Sequence, residues 1–301
     1  MARAAIVIHG GAGAISREHM SVQQERDYIQ TLSDIAEAGQ RLLAQEGCAL
    51  DAVTEAVRLL EESSLFHAGA GTGDPQAELS ARESCIMDGN TLRAGAVANI
   101  YRLRNPVLAA RLALEHSPHL LLTGQGAEQF AAHLGTPVTA SSSMSTPEGL
   151  AVPALSAVGA VALDMQGNLA AASSAGSVAF GASGRGGDAA LIGAGCYANN
   201  ANAAIVCTGA GDWFIRTLAA YDITALMEYR GLSLQQATER VIMEKIPALG
   251  GSGGLIAIDC QGNIAMPFNC AGMYRAMAYV GDAPSVGIYA QEPGSGEAVE
   301  L

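Results

Sequence analysis

Residues 154–171, ALSAVGAVALDMQGNLAA, read as one β-hairpin. An apolar strand runs from Val158 to Leu163, Gln166-Gly167-Asn168 supplies the turn, and a second apolar strand returns. The pattern recurs: GAVALDMQGNLAA (159–171) and GLIAIDCQGNIAM (254–266) both run glycine, apolar strand, Asp, Gln-Gly-Asn, apolar strand. Two helical stretches lie between them, about Trp213–Arg230 and Leu234–Lys245, the second following Ser233 as its N-cap. The second half thus reads strand–strand, helix–helix, strand–strand.

Working outward, the first half supplies matching parts. Ala4–His9 is a short apolar strand stopped by Gly10-Gly11. From Val22 to Glu62 the apolar spacing is helical, with a break predicted at Ala49-Leu50-Asp51. FHAGAGTGDPQAELSARES (66–84) reads as a polar, glycine-rich loop. SCIMDG (84–89) and RAGAVANI (93–100) read as strands, followed by helices near Pro106–Ser117 and Gly126–Leu134. Ser, Thr, Pro and Gly dominate from 135 onward, so 135–155 is expected to be a flexible linker between halves 1–134 and 156–301. Stacked sheets covered by helices, an α+β sandwich, accommodate these elements.

Composition narrows the chemistry. Half of the 301 residues are hydrophobic, enough for a large core, and 36 glycines with 5% aromatics imply tight turns and close backbones. A net charge of −13 argues against a nucleic-acid partner, which calls for a basic surface. Six cysteines (Cys48, Cys85, Cys196, Cys207, Cys260, Cys270) form no C-x-x-C pair, so reduced, mostly buried thiols are expected rather than zinc ligands. The apolar run in MARAAIVIHGGAG is too short for a signal peptide or membrane span, which points to the cytoplasm.

Four glycine-rich stretches are candidates for a site. IHGGAG (8–13) follows a strand directly, and a tight turn is the favoured reading of it over a site. SGRGGDAALIGAGCYANN (183–200) sets Arg185 and Asp188 three residues apart. An arginine fork suits a carboxylate and an aspartate an ammonium, so the pair is able to grip both charged ends of an amino acid; a surface salt bridge is the alternative. CTGAGD (207–212) lies between a strand and a helix start, where backbone N–H groups stabilise a developing oxyanion. GGSGG (250–254) is read as a packing element. No Ser–His–Asp arrangement and no Walker pattern is present.

Eight ordered motifs carry a resemblance: IHGGAGAIS (8–16), DAVTEAVRLLEES (51–63), CIMDGNTLRAGAVA (85–98), RNPVLAAR (104–111), VGAVALDMQGNLAAASSAG (158–176), GRGGDAALIGAGCYANN (184–200), CTGAGDWFIR (207–216) and ALGGSGGLIAID (248–259). They resemble the isoaspartyl peptidase/asparaginase family, the plant-type asparaginases among the N-terminal-nucleophile hydrolases. The match covers nearly the whole chain and fails mainly in the linker. The resemblance implies an αββα four-layer sandwich. It also implies a precursor that cuts itself before a threonine, and α and β subunits assembled as a dimer of heterodimers. That threonine is the nucleophile and its own α-amine the base, hydrolysing asparagine or β-aspartyl dipeptides through an acyl-enzyme without a catalytic cofactor. By motif, Arg185 holds the substrate α-carboxylate and Asp188 its ammonium, with Gly186 and Gly187 between them also substrate-binding positions. Thr208 and Gly209, followed by Ala210 and Gly211, fill the oxyanion and substrate-contact positions. Carbonyls of Leu60, Glu61, Ser63, Phe66, Ala68 and Ala70 correspond to a sodium-binding loop.

The chain departs from that family at the decisive position. The motif Gly-Thr-Val-Gly-Ala is here Ser156-Ala157-Val158-Gly159-Ala160, so Ala157 stands in the nucleophile position. Ala175 and Ala210 stand where the family typically has threonine, and His67 where it has asparagine; the run before GR is altered to SVAFGAS (177–183). Ser156 is the alternative nucleophile, but alternation along a strand turns neighbours to opposite faces unless a bulge intervenes. Three readings follow: an uncut, impaired relative that retains an aspartate pocket, a hydrolase acting through Ser156, and a partner-binding protein. A homodimer is expected, or a dimer of αβ units if the chain is cut.

Overall fold

The computed structural model describes residues 2–66, 81–137, 157–176 and 186–290. Eight strands form one sheet in the order β12 (Ser285–Tyr289), β11 (Gly272–Tyr279), β1 (Ala5–Gly13), β5 (Ala157–Leu163), β6 (Leu169–Gly176), β2 (Arg82–Asp88), β3 (Ala94–Ile100) and β4 (Leu121–Thr123). All neighbours are antiparallel except β3 and β4. A second, antiparallel sheet has the order β10 (Ile264–Ala265), β9 (Gly253–Asp259), β8 (Ala203–Gly209), β7 (Cys196–Ala198).

The repeated hairpin folds as read, and its aspartates explain why. Asp164 Oδ1 accepts the N–H groups of Gln166 and Asn168, and Asp259 Oδ1 accepts those of Gln261 and Asn263. Each carboxylate thereby closes its turn from within, an Asx-type device. Gly167 at φ +84° and Gly262 at φ +87° supply the left-handed residue both turns require. Asp164 does more: its Oδ2 accepts the Ala49 N–H and caps α2 (Ala49–Glu62), whose own N-cap, Cys48, makes no side-chain bond. One turn residue thus ties the hairpin to the first half.

Side-chain alternation divides the core. Ile6, Ile8, Val158, Ala160, Ala170, Ala172 and Ile86 face helices α1 (Val22–Ala44), α2 and α3 (Pro106–His116). Their strand neighbours Val7, Val161, Leu163, Ala171, Cys85 and Met87 meet Val206, Ile256 and Ile258 of the second sheet. The opposite face of that sheet, with Ile205, Leu255 and Ala257, packs against α5 (Gly211–Thr217), α6 (Ala219–Arg230) and α7 (Leu234–Glu239). The class is α+β. Gly95 marks the tightest approach of β3 to α3: a Cβ there would lie 2.2 Å from the Ala110 carbonyl oxygen and 2.3 Å from Leu114 N. Neither atom yields without moving the helix, so Gly95→Ala is expected to destabilise the fold by about 3 kcal/mol, measured by urea unfolding.

Several expectations shift. The break between the first two helices lies at 45–48, and Ala49–Asp51 form the first turn of α2. The stretch 213–230 is two helices, parted at Leu218, which adopts left-handed angles (φ 48°, ψ 49°). The helix after Ser233 starts with the expected cap as a full capping box, then continues as a π-helical segment, Arg240–Lys245. Strand β2 begins at Arg82, inside the segment read as loop. Of the six thiols, Cys85, Cys196 and Cys207 are buried, but Cys48 and Cys260 are exposed and Cys270 is intermediate. No described helix is long and apolar enough to cross a membrane. The linker read at 135–155 lies, from 138 on, outside the described residues.

Candidate active site

Ala157 is the first residue of β5 and pairs directly with Ala175 of β6, which pairs in turn with Glu83 of β2. Alternation from Val161, Ala171 and Cys85 places all three on the face toward the second sheet. The strands therefore present one row, Glu83–Ala175–Ala157, across about 10 Å, two strand spacings. On the opposing sheet Val206 faces this gap, and alternation along β8 brings Thr208 to the same side. The two sheets approach closely at Gly159, where a Cβ would lie 2.5 Å from Val206 Cγ1. The pairing of β5 with β6 runs without a shift from Ala157 to Leu163, so no bulge re-aims the start of the strand.

Thr208 is buried, and Gly209 after it takes φ +137°. That angle and Gly253 at φ +153° allow the ends of β8 and β9 to touch: a Cβ on Gly209 would lie 2.6 Å from Gly253 Cα. The GGSGG stretch is thus a packing element, as its composition suggested. Ala210 is exposed and leads into α5, which opens at Gly211.

Asp188 is brought to this end of the sheets by a short coil. Its carboxylate sits where a Cβ on Gly211 would lie 2.2 Å from Oδ1 and one on Gly195 2.7 Å from Oδ2, so only glycine fits beside it. Burial, then the neighbouring charges of Glu83 and Asp212, push the Asp188 carboxyl up to about 7. Gly186 is exposed and Gly187 half-buried. Arg185, Ser156, His67, Ala68 and Ala70 lie outside the described residues.

Sequence reasoning gave no role to the side chains of three buried polar groups, Glu83 and His9 near the gap and Glu61 on the helix side, the last named only for its carbonyl. Glu83 accepts hydrogen bonds from Gly187 N (2.7 Å) and Ala189 N (3.2 Å), on either side of Asp188. His9 on β1 pairs with Gly159 and is wholly buried; its Nδ1 accepts the Gly11 N–H, which leaves Nε2 as a donor without a partner among the described residues. Burial pushes His9 down to about 3, so it is neutral at physiological pH. Glu61 on α2 accepts from Val107 N and Asn105 Nδ2, and burial pushes it up to about 8. A charged pair interrupting an apolar strand was the available signal for Glu83, but ARES abuts a glycine-rich segment and resembled more loop.

For the sodium loop, four of six residues are described. The last-turn carbonyls of α2, Leu60 and Glu61 among them, have no N–H four residues on within the helix, and Ser63 caps it by donating its N–H to Leu59 O. Ser63 O accepts the Phe66 N–H at 3.4 Å and retains a second lone pair. Oxygen donors at a helix C-terminus suit a hard cation. Among the described residues no three His, Cys, Asp or Glu side chains form a metal cluster.

A family model described as Asparaginase matches residues 2–152 and 148–288. The chain is 55% identical over 314 residues to the isoaspartyl peptidase of Escherichia coli (strain K12), spanning 97% of this chain and 98% of that one. Identity to the isoaspartyl peptidase of Salmonella typhimurium is 56% over 314 residues, with 96% and 99% covered. A putative isoaspartyl peptidase/L-asparaginase of Dictyostelium discoideum is 38% identical over 327 residues, covering 92% and 94%.

Proposed function

The chain belongs to the asparaginase family, and on that premise we propose that it keeps the family's amino-acid pocket but neither cuts itself nor hydrolyses a substrate at an appreciable rate. The single observation behind this reading is Ala157 at the head of β5, facing the gap between the sheets. In the proposed architecture the three apolar clusters are those of an αββα sandwich, and the row at 83, 175 and 157 forms the floor of the pocket. Arg185 binds the α-carboxylate of the ligand through its planar fork, and Asp188 binds the ammonium. Thr208 and Gly209 line the position of the side-chain carbonyl. At residue 157 a methyl group replaces the hydroxyl, so there is no lone pair to attack that carbonyl, no α-amine released by cleavage and no acyl-enzyme.

The ligand class follows from the relatives, named for isoaspartyl peptidase and L-asparaginase activities. Both names point to an aspartyl unit, so aspartate is the probe. A calorimetric titration is expected to give a signal with the unaltered protein, and Arg185→Ala to weaken it at least tenfold, or about 1.4 kcal/mol. Equal titrations from both proteins would remove Arg185 from the pocket. The Ser156 reading has less support, because it is Ala157 that fills the family's nucleophile position and heads β5, whose pairing with β6 runs unshifted from that residue on. The sodium ion would be held by the carbonyls of Leu60, Glu61, Ser63, Phe66, Ala68 and Ala70 and has no part in the chemistry. An uncut homodimer is the proposed assembly, and size-exclusion chromatography with light scattering tests it.

Binding should depend on pH. With its carboxyl pushed up to about 7, Asp188 is protonated and neutral below that value and loses its hold on the ammonium. Aspartate affinity is therefore expected to rise between pH 6 and 8, a window in which an ordinary exposed carboxylate is already ionised and would leave it flat. A flat profile across that window would separate Asp188 from the ligand.

A further inference from the structure

We propose that Glu83 is a positioning residue: its carboxylate holds the two peptide N–H groups flanking Asp188 and thereby fixes where the Asp188 carboxylate stands. The inference rests on the aspartate-pocket reading for its functional meaning, but its physical content does not. Glu83 lies in the same row as Ala157, two strands away, so the clamp references Asp188 to the strand that carries the nucleophile position.

Three observations converge on this assignment. The first is the pair of bonds themselves, Gly187 N to Oε2 and Ala189 N to Oε1, one oxygen for each donor. Such a bidentate arrangement fixes the residue between the donors more tightly than either bond alone, and bonds to an ionised acceptor are the strong ones. The second is the space. A Cβ on Gly187 would lie 2.4 Å from Glu83 Oε1, so the glycine in the GRGGD run is what lets the backbone settle onto the carboxylate. The third is burial. Glu83 is 5% exposed and Asp188 9% exposed, so the two acidic groups are held together out of solvent. A like-charge pair in that setting costs stability, and peptide N–H donors offset part of the cost on the Glu83 side. The coil is further secured by Ser173, whose hydroxyl donates to Ala189 O from the same face of β6.

Among the described residues, the charged and titratable groups facing Asp188 are Glu83 from β2, Asp212 from α5 and Cys207 from β8. Of these, Glu83 alone bonds the backbone around Asp188 in the bonds described above. Removing its charge should therefore do two things at once: loosen the coil and lower the pH at which Asp188 ionises. A group that merely filled space would do neither in that combination.

The test uses Glu83→Gln, which keeps the shape but replaces one accepting oxygen with an NH₂ group that opposes a peptide donor. Hydrogen exchange at the Gly187 and Ala189 amides is expected to quicken at least tenfold, and the Asp188 carboxyl titration, followed by NMR, to move to lower pH. Glu83→Asp, one methylene short but still charged, should recover much of the Asp188 midpoint while leaving exchange fast. If Glu83→Gln fails to fold by circular dichroism, Gly187→Ala attacks the same contact from the other side and should loosen the same two amides. Unchanged exchange and an unchanged Asp188 midpoint in a folded variant overturn the proposal. Aspartate titration separates the two ideas. If the unaltered protein binds aspartate, Glu83→Gln should weaken it at least tenfold, and equal affinity overturns the positioning role. If the unaltered protein does not bind aspartate, the pocket reading falls, and the exchange and titration results still decide for or against the clamp.

Discussion

Purified protein is expected to run on a denaturing gel as one band of 30.7 kDa, with no smaller partner fragments even after prolonged incubation. The effect is all-or-none because the chemistry is. Self-cleavage of the family type begins when a hydroxyl at the residue after the scissile bond attacks the preceding carbonyl, and everything later depends on the ester so formed. Ala157 carries only a methyl group there. The strand it heads is well anchored: β5 pairs in continuous register with β6 on one side, and from Gly159 to Leu163 with β1 on the other. Such anchoring opposes the one-residue slip that would bring Ser156 to the same place, since a slip would also turn Val161 and Leu163 out of the gap between the sheets. Two fragments with Ser156 as a new N-terminus would show that this anchoring does not hold at the end of the strand, and would make the serine the nucleophile.

The fold was largely legible because its signals are local. In the hairpin of 159–171 the turn residues, the aspartate before them and the alternating apolar strands all act within a few residues, and the structure keeps each in its expected role. The Ser233 cap was readable for the same reason. What could not be read depends on distant partners. Helix α2 begins at Ala49 because Asp164, far along the chain, caps it, and no local signal at Cys48 announces that. Leu218 breaks a helix where no glycine or proline stands, so the helical spacing ran straight through it. Glu83 is the instructive case for the site. Charged residues are seldom buried in a strand, and part of the cost is offset here by peptide donors from a coil about a hundred residues later in sequence. The pairing of Arg185 with Asp188 was proposed from spacing and glycine content, while the Glu83 bonds to the peptides on either side of Asp188 needed the three-dimensional arrangement.

Restoring the missing hydroxyl is expected to return self-cleavage, but by amounts that depend on the residue before it. Ala157→Thr alone should cut slowly, and Ser156→Gly combined with Ala157→Thr should cut faster. The attack requires strained backbone angles at the residue that donates the scissile carbonyl. Glycine reaches such angles freely, whereas the Cβ of a serine resists them. Strain of this kind costs about 1–3 kcal/mol, which corresponds to roughly a 5- to 160-fold difference in rate. Hydrolysis of β-aspartyl dipeptides should then appear only in the cut fraction, since only there does residue 157 carry a free α-amine to act as its base. Activity should stay below that of a family member with the full motif. Ala175 stands directly across the strand pair from residue 157 and offers no hydroxyl to it, and Ala210 offers none from the opposing loop. Gel time courses on the two variants, with peptidase assays on the separated cut and uncut forms, measure each step. If neither variant cuts while both keep the circular dichroism of the unaltered protein, the lesion lies in the surroundings of residue 157, with Ala175 and Ala210 the next positions to restore. If activity appears in uncut protein, the base is some group other than the released amine, and the account of the chemistry at Ala157 fails.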